Sequence, residues 1–139
     1  MNTTALAPSQ TRSGLDRLYT ALGTANTTLK ALKETPELDL TPDQVRTSLN
    51  CALAGKAVNE VSGKWVRNVS SRTEFRDVSI LGALITLKAT KEEPASFKQI
   101  LELLPVSTPQ LYTSLARLRI GNYVMSVRDG SRTPHYHPI

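Results

Sequence analysis

Cys51 is the only cysteine in 139 residues. A lone thiol excludes an internal disulfide and leaves too few sulfur ligands for a structural zinc cluster. No apolar run reaches the roughly 18–20 residues that a membrane span requires, so no membrane partner is expected. Aromatic residues make up 5% of the chain, which leaves Leu, Val, Ile and Ala to build the core. The opening run Met-Asn-Thr-Thr-Ala-Leu-Ala-Pro-Ser-Gln-Thr-Arg lacks the basic-then-apolar build of a secretory signal, and a cytoplasmic, reduced protein is the expectation. Enzymatic signatures are missing as well. There is no glycine-rich phosphate loop, no His-Glu-x-x-His run and no Ser-His-Asp set that can be placed together, so neither a catalytic residue nor a cofactor is assigned.

What the chain has is a modest excess of cations, 17 Lys and Arg against 12 Asp and Glu, for a formal charge of +5. That sign favours a polyanionic partner without demanding one. The length suits one ordinary domain or two small ones.

The most legible stretch runs from Ser107 to His137. Ser107 is placed to cap a helix, with Gln110 completing a capping box and Val106 and Leu111 closing a hydrophobic staple. Leu111, Leu115 and Leu118 repeat at helical spacing, and Gly121 is expected to end the helix in the left-handed conformation. Tyr123 to Val127 reads as a strand, Asp129-Gly130 as a turn, and Tyr136 as part of a returning strand.

An earlier stretch has the same grammar. Thr41 and Gln44 form a capping box, Leu40 and Val45 a staple, and Pro42 takes the first helical position, where its missing N–H costs nothing. Val45, Leu49 and Ala52 supply the seam, Gly55 the stop, and residues 57–61 and 65–69 a hairpin across Ser62-Gly63. One constant shift carries Gln44 onto Gln110, Thr47 onto Thr113, Ser48 onto Ser114, Leu49 onto Leu115, Gly55 onto Gly121 and Val58 onto Val124. Leu15, Leu18, Tyr19 and Leu22 mark a helix ahead of the first copy, and Thr28 caps a short second one. A helix from about Phe75 to Lys88 and another from about Ser96 to Leu104 precede the second copy. A repeat of this length is near the size of a small domain, well beyond a solenoid unit.

Capped helix, seam, stop and hairpin, preceded by two further helices, resemble the winged-helix superfamily, in which a helix-turn-helix is followed by a β-hairpin wing. The resemblance implies a mainly α fold with small β-hairpins (α+β) and two tandem winged-helix domains. They span residues 14–72 and 73–139 after a flexible arm at 1–13, with a tight joint near 70–73.

It also implies double-stranded DNA as partner and the third helix of the second unit as the element entering the major groove. With the leucines inward, Gln110, Thr113 and Arg117 form the expected outward stripe, with Ser114 at its edge. These residue types suit base edges. Arg128 and Arg132 bracket the wing turn and suit the backbone or minor groove. The equivalent stripe of the first unit, Gln44, Thr47 and Cys51, is less suited, with Asp43 and Asn50 beside it. Gln44, Arg46, Thr47, Asn50, Lys64 and Arg67 are assigned to a secondary contact with DNA, a second protomer or a partner protein.

Cys51 reads as an inert small hydrophobe. His135 and His137 read as ordinary residues of a surface strand whose Tyr136 points inward. Trp65 reads as a core or inter-domain residue before it reads as a stacking platform. Two functions therefore stand open. One is a nucleoid-associated regulator of transcription or of plasmid or phage maintenance. The other is a tandem winged-helix adaptor within a larger protein complex.

Overall fold

The computed structural model describes residues 13–23, 27–128 and 134–139; the expected arm up to residue 12, the turn Asp129-Gly130 and Arg132 lie outside them. Among the described residues there are six α-helices and two small antiparallel sheets of three strands each. The elements are α1 (Gly14–Leu22), β1 (Thr27–Thr28), α2 (Leu29–Lys33), a 3-10 turn (Pro36–Leu38), α3 (Pro42–Ala54), β2 (Val58–Val61) and β3 (Lys64–Arg67). They continue with α4 (Arg72–Thr86), β4 (Ala95–Ser96), α5 (Phe97–Leu103), α6 (Thr108–Ile120), β5 (Val124–Val127) and β6 (His135–Pro138). The order helix, strand, helix, helix, hairpin thus occurs twice. Both sheets repeat the same strand order, β1-β3-β2 and β4-β6-β5, with the first, two-residue strand of each on the outside.

Local chemistry starts each helix. Ser13, Thr28, Thr41, Ser71, Ser96 and Ser107 all accept a backbone N–H from the first turn that follows, satisfying a donor the helix cannot. The box at Thr41–Gln44 is complete in both directions, at 3.1 and 2.9 Å. Ser96 and Gln99 form a second complete box. The one expected at Ser107 is only half made, because Gln110 sends its side chain elsewhere.

Helix ends differ from expectation. Gly55 and Gly121 have φ of −84° and −79°; the left-handed residue is the next one, Lys56 or Asn122, and Lys88 does the same after α4. Ser62 and Gly63 both have positive φ, as a two-residue hairpin turn requires.

Helix α4 is the centre of the molecule. It packs against α3 over the most extensive helix–helix contact, and also against α1, α5, α6 and β6. Phe75, Ile80, Ala83 and Leu84 of α4 are fully buried, and the buried apolar residues of both halves form one continuous cluster. The boundary expected between 72 and 73 falls in the first turn of α4. Where α3 meets α4, a Cβ on Gly82 would stand 1.8 Å from the Cys51 carbonyl oxygen, and one on Gly55 1.9 Å from that of Val78. The missing side chains let the two backbones touch.

A polar junction ties the halves together at their other side. Asp16 of α1 is 4% exposed. Its carboxylate accepts from Arg76 of α4 at 3.4 Å and from the Gln110 amide of α6 at 3.0 Å. Beside it the Leu15 N–H donates to Pro105. Arg17 reaches the carbonyl of Leu38 at 2.8 Å. No helix among the described residues is long and apolar enough to cross a membrane.

Candidate nucleic-acid interface

Helix α6 is held by one seam and has two flanks. Leu111, Leu115 and Leu118 face the core, so at about 100° per residue Gln110, Ser114 and Arg117 fall on one side of the seam and Tyr112 and Arg119 on the other. The first flank meets α4 and α1. Ser114 is fully buried, Gln110 is bonded to Asp16, and Arg117 grips Asp77 of α4 with two bonds, Nε to Oδ2 at 2.7 Å and Nη2 to Oδ1 at 2.8 Å. The paired carboxylate raises the Arg117 pKa further above its ordinary value.

Three residues of the expected stripe are therefore corrected. Gln110, Ser114 and Arg117 serve intramolecular contacts, because α4 lies on their side of the helix. Thr113 stays exposed, its hydroxyl donating to the Pro109 carbonyl at 2.9 Å.

The opposite flank is open. Tyr112, Thr113, Ala116 and Arg119 are exposed along α6. Together with Arg128 at the end of β5 and the side of Tyr136, they line a groove of about 530 Å³ between the helix and the β5–β6 hairpin. Among the described residues no carboxylate lines it. Tyr136, otherwise 3% exposed, has its pKa raised by burial, with the positive charges of Arg119 and Arg128 opposing that rise. Both cations therefore act on one phenol. The Tyr112 ring lies against that of Phe97 of α5, with centroids 4.5 Å apart and planes tilted by 35°.

Of the predicted residues, then, the groove unites Thr113 and Arg128. Arg119 and Tyr112 are not among the contacts the sequence predicts. The sequence offered a hint in their spacing of seven, which puts them on one helix face, but not which flank would be covered.

In the first half, Gln44 is exposed and spent on its capping box. Arg46 pairs with Asp43 at 3.3 Å in an exposed i,i+3 bridge. Thr47 is half-buried; Asn50 and Lys64 are exposed. Arg67 is not directed outward as a contact residue: its guanidinium lies 4.0 Å from the centre of the Tyr19 ring and donates to the Tyr19 carbonyl. Cys51, expected in the outward stripe of the first unit, is instead fully buried against α4, where burial raises its pKa and a hydrogen bond with Thr86 opposes the rise. Its burial agrees with the reading of an inert hydrophobe. Trp65 packs against the core. Tyr136 turns inward between half-buried His135 and His137, and no group of three or more potential metal ligands occurs among the described residues.

No protein-family model matches the chain, and no match was found among curated proteins. Among solved structures it is similar to the crystal structure of the DIP2311 protein from Corynebacterium diphtheriae, at 13% identity and a TM-score of 0.36. The match covers 91% of this chain but spans only 26% of that one.

Proposed function

We propose that the protein binds DNA, with the outer face of α6 laid on the duplex and the β5–β6 hairpin beside it as a wing, and that its two halves are tandem winged-helix units. The observation that carries this reading is the groove itself. Arg119 and Arg128 converge on it, and exposed Thr113 and Ala116 continue it along α6. Guanidinium groups neutralise phosphates and release counter-ions, while threonine and alanine methyls suit contact with thymine methyl groups. The repeated element order, helix, strand, helix, helix, hairpin, supports the family reading. A regulator of transcription or of plasmid or phage maintenance is the role in which such a module fits.

A protein partner is the second reading. It is favoured by exposed apolar side chains at the far end of α6 and beyond: Ile120 at 83%, Tyr123 at 59% and Met125 at 50% exposure. An anisotropy titration of labelled duplex DNA against salt separates the two. Affinity falling steeply with salt supports DNA; indifference to both duplex and salt supports the adaptor.

A further inference from the structure

We infer that the α6 groove accepts an unpaired nucleotide, its phosphate between Arg119 and Arg128 and its base stacked on Tyr112. This rests on the DNA-binding reading and narrows it to a class of DNA. Duplex contact alone leaves the placement of Tyr112 without a use. The residue is 57% exposed, yet its ring is backed by that of Phe97, with centroids 4.5 Å apart, which limits how far it can swing. It stands in the same groove as the two cations, two helical turns from Arg119.

Aromatic rings beside a basic track are the arrangement by which single strands are held, since every base has a face to stack. A base inside a duplex is already stacked on its neighbours and has no face to offer. The groove volume, about 530 Å³, lies within the roughly 300–1,000 Å³ of sites that enclose small organic groups. The phenol of Tyr136, at the groove wall, is neutral at physiological pH as any ordinary tyrosine is, and burial raises its pKa further from 10.0. It therefore adds no negative charge against a phosphate.

The test uses the full chain and three labelled probes: oligo(dT), an abasic oligonucleotide of the same length and phosphate count, and a blunt duplex. Oligo(dT) is expected to bind about tenfold more tightly than the abasic strand, the gain that one stacked base supplies. Tyr112→Ala is expected to remove that advantage, so that oligo(dT) and the abasic strand bind alike, and Tyr112→Phe to restore it. Arg119→Ala weakens oligo(dT) and the abasic strand alike. Equal binding of oligo(dT) and abasic strand by the unaltered protein, with duplex binding intact, overturns the stacking site and spares the DNA reading. Failure of all three probes to bind overturns both. The comparison of the two strands on the unaltered protein stands even if Tyr112→Ala does not fold.

Discussion

Gly55 and Gly82 meet backbone to backbone where α3 crosses α4: a Cβ on Gly82 would lie 2.7 Å from the Gly55 nitrogen, and one on Gly55 3.1 Å from the Gly82 nitrogen. The neighbours on both sides are main-chain atoms, which cannot swing aside as a flexible side chain can. Gly82→Ala, which elsewhere in a helix interior is stabilising, is therefore expected to destabilise here by about 3 kcal/mol as the helices are forced apart. Urea denaturation checks it. A neutral or stabilising effect would mean the crossing is looser than described.

Asp16 joins residues far apart in the chain, accepting from Arg76 and from Gln110 while almost entirely buried. Removing the carboxylate leaves the half-buried Arg76 guanidinium without its counter-charge and Gln110 without its acceptor. Asp16→Ala is expected to cost about 3 kcal/mol, and Gln110→Ala only about 1 kcal/mol, since the ion pair survives the second change. Equal losses from the two would show that the amide, not the charge pair, holds the junction.

Alkali should loosen the fold through Cys51. Burial raises its pKa above the ordinary 9.0, so the folded state holds the thiol proton more tightly than the unfolded chain does. Stability is then unaffected below about pH 9 and falls as pH rises from there through the folded pKa. Tyr136, raised from 10.0 by burial, adds a second decline at higher pH. Denaturation midpoints measured from neutral pH into alkali are expected to show a shallower early decline in Cys51→Ala than in the unaltered chain. Identical slopes would remove Cys51 from the account.

The shared core predicts that the halves do not fold separately. One apolar cluster includes Leu15 and Leu18 of α1 together with Phe75 and Ile80 of α4, and α3 buries its Cys51 side on α4. Fragments cut near Ser70 are expected to show little helical circular dichroism alone and to regain it on mixing. A cooperative thermal transition from either fragment by itself would contradict this.

Much of this architecture was legible because it is local. Caps at Thr28, Thr41 and Ser107, the leucine seam of α6, and the Ser62-Gly63 turn each follow from a few neighbouring residues. The Gly55 and Gly121 stops were legible as positions but not as causes; the left-handed conformation falls one residue later, at Lys56 and Asn122. The short strands β1 and β4 escaped notice, since two residues carry no alternation and exist only by pairing with β3 and β6. The candidate site was half legible for a related reason. A wheel drawn on the leucines leaves two equivalent flanks, and only the packing of α4 decides that Arg117 is paired with Asp77 while Arg119 is exposed. Asp77 and Asp16, the acids that claim Arg117 and Gln110, lie 40 and 94 residues away in sequence.

The two arginines of α6 provide the most direct measurement. Arg117 is engaged by Asp77, and with its side chain 39% exposed the pair is worth only about 1 kcal/mol of stability after solvent screening. Arg119 faces the groove with Arg128. Duplex titrations at several salt concentrations should show Arg119→Ala and Arg128→Ala each losing about five- to tenfold in affinity and reducing the salt slope by about one. Arg117→Ala should stay within about twofold of the unaltered protein. Loss of binding in Arg117→Ala, with Arg119→Ala and Arg128→Ala unaffected, would contradict the account.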